Sequence, residues 1–185
     1  MFMTFLLSLR NKLKLKGEYH LDIEEGVRIR GCTIVMKGKN NQLRIASGVN
    51  LKGVHIEILG DDCVVSIDNG CVIGENCYLS AREKGTHLTL GKNCMLSRNV
   101  KVMTSDGHNI MKSGQRINPA QNINIGNRVW LADNVTVLKG VQVGDDCVVG
   151  INSTLTKSVT AGSIAAGTPA KVLVDGVTWQ NELTY

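Results

Sequence analysis

The stretch SDGHNI, Ser105 to Ile110, holds a histidine where a regular pattern of the chain breaks off. A histidine of ordinary pKa, about 6.5, is largely neutral at pH 7 and can take a proton from a hydroxyl. Asp106, two residues before His108, can hold the ring in one tautomer or simply form a turn with Gly107; both readings stand. Other chemistry-bearing residues are sparse. His20, His55, His87 and His108 lie more than twenty residues apart, so none pairs with another at a metal-ligand spacing. The six cysteines contain no CxxC pair. Lys139 and Lys157 stand eighteen residues apart, and Trp130 is one of two tryptophans in a chain with 4% aromatics.

These residues are positioned by a repeat of six. Ile125, Leu131, Val137, Val143, Val149 and Leu155 recur at that step and all are aliphatic. Four residues after each come Val129, Val135, Val141, Cys147, Ser153 and Val159, small or β-branched. Apolar positions therefore fall two apart across each boundary, which places them on one face of a short strand. Gly126, Gly144 and Gly150 follow the aliphatic residue where the chain must bend. A helix does not fit, because a step of six drifts around a 3.6-residue turn. Three units instead close a triangular coil of eighteen residues, and stacked coils pair as parallel strands. Looser versions of the pattern reach back to Ile23. The expectation is an all-β parallel β-helix of about six coils at a strand spacing near 4.8 Å, covering 21–175, with a loop at 103–124 leaving the coil.

Counting then separates inside from outside. Cys63, Cys71, Cys77, Cys94 and Cys147 fall on inward positions, where a thiol serves as a small hydrophobe. Trp130, between inward Val129 and Leu131, points out; its strip continues through Val148 and then Ala166. An exposed indole needs a partner. Lys139 and Lys157 stack on one edge, a repulsive arrangement unless an anion or solvent screens it.

The stretch from Ile125 to Val159, followed by AAGTPAKVL, resembles the hexapeptide-repeat acetyltransferases, and the loop histidine with Trp130 at the restart of the repeat is similar to bacterial surface-polysaccharide O-acetyltransferases. The resemblance implies a left-handed coil, a homotrimer with active sites between subunits, acetyl-CoA as cosubstrate, no metal, and a saccharide acceptor. It points to His108 as general base, with Asp106 orienting it and Asn99 near the acceptor or the oxyanion; a plain corner asparagine is the equal alternative. For CoA it suggests Trp130 as wall, Ala132 and Gly150 as small residues admitting the pantetheine arm, and Lys139, Lys157 and Lys171 for the phosphoryl groups. A small acceptor such as a free sugar, serine or drug is the alternative enzyme reading, and a non-catalytic β-helix scaffold is the rival from another class.

Net charge is +5, too mild and too scattered for a nucleic-acid binder. Residues 1–20 read as a capping helix, with Phe2, Phe5, Leu6, Leu9 and Leu13 at helical spacing and basic residues following. A second reading rests that helix on an anionic inner membrane. Reduced thiols and the lack of a convincing secretory signal or membrane span place the protein in the cytoplasm. The tail 176–185 breaks the repeat and has no assigned role.

Overall fold

The computed structural model describes residues 7–182 and 184. About half of them lie in strands, most of them short and parallel, which visit three faces per turn and are joined by turns. The first face carries Ile123–Ile125 and Gln142–Val143, the second Trp130–Leu131 and Val148–Val149, and the third Thr136–Val137 and Thr154–Leu155. The register is the one counted from sequence: Asn124 pairs with Gln142, Trp130 with Val148, and Thr136 with Thr154, each eighteen residues on. Backbone N–H groups donate from one coil to carbonyls of the next, as from Trp130 to Cys147 at 2.8 Å and from Thr136 to Ser153 at 2.8 Å. The second face is an eight-stranded sheet whose last strand, Ala170–Asp175, is antiparallel, which leaves seven parallel levels rather than six.

Inward positions are closed to solvent from the second coil onward, with Leu131, Val137 and Val149 all at 0% exposure, while those of the first coil, such as Leu13 and Leu15, are only half-buried. The six cysteines are free and buried. Five of their thiols donate to carbonyls of the neighbouring coil, as Cys147 does to Thr160 at 2.9 Å, while Cys32 donates to Arg30 of its own coil. Burial pushes the thiols of Cys32, Cys63, Cys77 and Cys147 up, that of Cys77 to about 11, so these four stay protonated and serve as packing.

The edges explain the asparagines. Asn99, Asn134 and Asn152 have φ of 58°, 62° and 59° at the edge between the second and third faces. A left-handed conformation costs an ordinary residue about 1–2 kcal/mol, and asparagine bears it best. Their amides also bond each other, Asn99 Nδ2 to Asn134 Oδ1 at 3.0 Å and Asn134 Nδ2 to Asn152 Oδ1 at 2.9 Å, which offsets that cost. Upstream the coils are longer, with Thr33 opposite His55 and His55 opposite Tyr78. There one strand, Thr33–Ile45, bends round the edge between third and first faces at Gly38 (φ 127°). A Cβ at Gly38 would lie 1.7 Å from the Gly60 carbonyl oxygen, so only glycine fits.

Both ends depart from the sequence reading. The helix expected over 1–20 is corrected from Lys12 onward: Lys12–Ile23 is a strand, paired in parallel with Thr33–Ile45, and forms the first coil. Among the described residues only Leu7 and Ser8 are helical, and residues 1–6 lie outside those described. The physical signal was the alternation KLKLK. It puts Leu13 and Leu15 against the core and Lys12, Lys14 and Lys16 outside, a period of two. At the other end the last coil is shorter, with Val143 opposite Val159 and Val148 opposite Ile164. Ile164, not Ala166, therefore continues the Trp130 strip. GTPAK makes the turn between Ser163–Gly167 and Ala170–Asp175.

Two outcomes test this packing. Leu131→Ala removes a fully buried side chain from a close-packed prism and is expected to destabilise by about 2–5 kcal/mol, read from urea unfolding. In the native protein the six thiols are expected to resist a soluble thiol reagent and to react together once urea unfolds the chain.

Candidate active site

Between Met103 and Ile123 the coil opens, and an arm leaves the edge joining third and first faces. The pairing of Lys101 with Thr136 resumes the stack directly across the excursion. The arm carries a two-stranded hairpin, Met111–Lys112 against Gln115–Arg116, turned at Ser113 and Gly114 with φ of 50° and 77°. Ile110, Met111 and Ile117 are 51%, 56% and 56% exposed on it. An arm presenting three large apolar side chains to water is built to be covered.

Two sets of polar contacts fix its root. Arg116 grips Glu83 of the coil bidentately, Nη1 to Oε2 and Nη2 to Oε1, both at 2.6 Å. Ser105 Oγ donates to Glu83 Oε1 at 2.6 Å and accepts from the Gly107 N–H at 3.0 Å. The second set centres on Asn118, which is 6% exposed. Its Nδ2 donates to the His108 carbonyl and to Asp106 Oδ2, both at 2.8 Å, while its Oδ1 accepts from the Ile110 N–H at 2.7 Å. Asn118 thus clamps the backbone on both sides of His108. The sequence reading missed it, because an asparagine in a loop carries no spacing signal; the arm's second strand had to be folded back on its first.

His108 itself is exposed, at the stem of this clamped segment. Among the described residues its imidazole has no hydrogen-bond partner. Asp106 spends its carboxylate elsewhere, on Asn118 and on the Lys139 ammonium. Lys139 also donates to the Asn118 carbonyl at 3.1 Å. Lys139 therefore ties the arm to the coil, while Lys157, one coil further along the same edge, is exposed.

The remaining candidates lie elsewhere. Trp130 stands outward on the second face, half-buried, its Nε1 donating to Ser97 Oγ at 3.2 Å. Its partner is Trp179 of the chain's own tail, with ring centroids 5.9 Å apart. The tail is held by Arg128, whose Nη2 donates to the Trp179 carbonyl at 2.8 Å and to Thr178 Oγ1 at 3.0 Å. Beside the Trp130 column runs a column of small residues, Ser97, Ala132, Gly150 and Ala166. The N–H groups of Ala132 and Gly150 are used in coil pairing, to Val149 and Ala165. Gly150 has little room, since a Cβ there would lie 3.0 Å from that of Ala166. Asn99 belongs to the asparagine ladder of the adjoining edge. Lys171 is exposed in the terminal hairpin, opposite Ala166.

In a three-sided coil the second face lies opposite the edge that carries the arm. The structure gathers His108, Asp106, Lys139 and Lys157 on one side. It places Trp130, Ala132, Gly150, Lys171 and Asn99 on the other. Among the described residues no group of three or more His, Cys, Asp or Glu is arranged to hold a metal ion, and no helix is long and apolar enough to cross a membrane.

Against known proteins, residues 122–157 match the family described as bacterial transferase hexapeptide (six repeats). The chain is 37% identical over 120 residues to the polysialic acid O-acetyltransferase of Neisseria meningitidis, covering 64% of this chain and 54% of that protein. It is 36% identical over 95 residues to the polysialic acid O-acetyltransferase of Escherichia coli O1:K1 / APEC, covering 50% of this chain and 31% of that one. It thus spans about half, or less, of the length of these curated relatives. The crystal structure of the polySia specific acetyltransferase NeuO is similar with a TM-score of 0.74 at 27% identity, over 94% of this chain and 83% of that one.

The arm's anchors make a prediction in pH. The Arg116 hydrogen bonds hold the Glu83 carboxyl down from its ordinary 4.5 to about 2, and Lys139, then Asn118, lower that of Asp106. Both groups bind protons less tightly folded than unfolded. Their anchoring is therefore complete above the ordinary carboxylate range and is lost as pH falls, for Glu83 towards about 2. The protection of the Gly107 and Ile110 amides, measured as exchange relative to the intrinsic rate at each pH, is expected to hold down to the ordinary carboxylate range and to be lost below it. Glu83→Ala should show fast exchange there already at neutral pH.

Proposed function

We propose that this parallel β-helix, whose residues 122–157 match the hexapeptide transferase family, is an O-acetyltransferase that moves an acetyl group from acetyl-CoA to a hydroxyl of a bacterial surface polysaccharide or its sugar precursor. The observation that carries this reading is the exposed imidazole of His108, without a hydrogen-bond partner among the described residues, on a segment whose backbone is clamped by buried Asn118. The relatives named polysialic acid O-acetyltransferases support the acceptor class.

In the proposed reaction His108 takes the proton of the acceptor hydroxyl as the oxygen attacks the thioester carbonyl. The carbonyl electron pair moves to oxygen and is stabilised there by a backbone N–H or by Asn99. Collapse of the tetrahedral species breaks the C–S bond. The departing thiolate takes its proton from the imidazolium, leaving the acetyl ester, CoA and neutral histidine. No cysteine is needed as a covalent carrier, and all six are buried inside the prism, away from a substrate. Asp106 acts on the ring indirectly, through Asn118 and the backbone it clamps. Lys157 and Lys171, which are exposed, take the phosphoryl groups of CoA, whereas Lys139 is committed to Asp106.

The protein works as a homotrimer in the cytoplasm, with each site assembled from two copies. Support comes from the apolar tip of the arm, Ile110, Met111 and Ile117. It comes also from the separation of the two groups of candidate residues on opposite sides of one prism. A neighbour's second face, with its apolar Trp130 column and small-residue channel, would receive the arm.

His108→Ala is expected to lower kcat by roughly 10²- to 10⁴-fold in an acetyl-CoA assay with a saccharide acceptor. Near-normal turnover would remove the assignment. Asn118→Ala is expected to lower kcat by roughly 10- to 100-fold, as a misplaced base does, with the KM for acetyl-CoA nearly unchanged.

A further inference from the structure

The charge of this chain is unevenly distributed. Residues 1–53 hold ten Lys and Arg against four Asp and Glu, a net of +6, while the rest of the chain nets −1. The fold concentrates that excess at one end of the prism. Lys12, Lys14 and Lys16 point outward from the first coil on the third face, and Lys37 stands beside Lys16 in register on the second coil. Arg28 and Arg30 point outward on the second face at the same end. The four acids, Glu18, Asp22, Glu24 and Glu25, fall on the side of the first face. Among the described residues none of these six cations forms an ion pair.

Two ordinary explanations fall short. Basic residues on an edge strand guard it against pairing with other chains, and that accounts for Lys12, Lys14 and Lys16 and for Arg28 and Arg30, whose strand ends the sheet of the second face. It does not account for Lys37, whose strand is paired on both sides. Solvation alone leaves like charges stacked at strand spacing, about 4.8 Å, with no acid between them. An external anionic partner removes that repulsion.

The cations wrap two faces at one end rather than tracking a groove, which suits a broad surface more than a single polymer strand. Apolar residues adjoin them. Leu9 is 64% exposed, and Phe2, Phe5 and Leu6 precede it in sequence. Basic residues with neighbouring apolar side chains are the combination that binds an anionic bilayer surface.

We propose that the first coil is a docking surface for an anionic lipid membrane, with Lys12, Lys14, Lys16, Lys37, Arg28 and Arg30 facing the headgroups and Leu9 entering the interface. Docking is independent of the acetyl-transfer chemistry, because these residues lie several coils from the arm.

The test is flotation of the full chain with phosphatidylcholine vesicles, with and without one quarter phosphatidylglycerol. The expected result is partition onto the anionic vesicles alone, weakening as salt rises. Each basic residue near such a surface strengthens binding roughly five-fold. The combined change Lys12→Gln, Lys14→Gln, Lys16→Gln should therefore weaken partition about 100-fold, with turnover on a soluble acceptor unchanged. Arg28→Gln with Arg30→Gln, on a different strand, should weaken it about 25-fold and serves if the triple variant folds poorly. No partition onto anionic vesicles, or partition unaltered in a folded variant, would overturn the proposal. So would tight binding to soluble heparin without vesicle binding, which would assign the cations to a polyanionic chain instead.

Discussion

Everything in this molecule depends on coils closing in register. Each backbone N–H must meet a carbonyl of the next coil, and each inward side chain must meet its counterpart above and below. A burial of aliphatic side chains and a ladder of hydrogen bonds are satisfied by the same spacing, and neither survives a slip of one residue, which would turn the inward row to water. Among the described residues the edges pay for this regularity in left-handed conformations, which asparagine and glycine supply at the least cost. Register also decides function, because it fixes what shares an edge and what stands on opposite sides.

The arm is the one place where the prism gives up its regularity. Leaving the coil exposes backbone polar groups that the ladder would have satisfied, and the chain replaces those bonds with Glu83, Arg116, Ser105 and Asn118. A partly exposed ion pair alone would contribute little. The bidentate grip with a serine on the same carboxylate, together with a buried amide serving three partners, holds geometry as well as energy. The result is a histidine whose backbone is fixed and whose ring is free, which is what a base awaiting a substrate requires.

The fold from Ile125 to Leu155 was legible in the sequence because an aliphatic residue recurs there every six residues without a change of step; the shorter last coil was not. From that count followed the inward cysteines, the outward Trp130 and the common edge of Lys139 and Lys157. The first coil was not legible as a strand: Leu9 and Leu13 fit a helix, and the alternation of KLKLK was too short to outweigh them. The site was legible only in part. His108 stood out because it interrupts a pattern, but Asn118 and the Glu83–Arg116 grip join residues brought together by the arm's own folding. The partner of Trp130 was hidden for the same reason, since Trp179 is reached only when the tail turns back over the second face. Lys139 illustrates a different limit: spacing gives its edge, yet its ammonium is taken by Asp106, which no count reveals.

The central claim is that one subunit cannot complete the site, because the arm and the second face lie on opposite sides of each prism. Mixing two inactive variants tests it directly. His108→Ala removes the base and leaves the second face intact, while Gly150→Trp blocks the second face and leaves the arm intact. If the site joins two copies, unfolding and refolding the two together should restore part of the acetyl transfer that neither shows alone. Activity that stays absent in mixed oligomers, shown to form by differently tagged subunits, would contradict the account and return the site to a single prism.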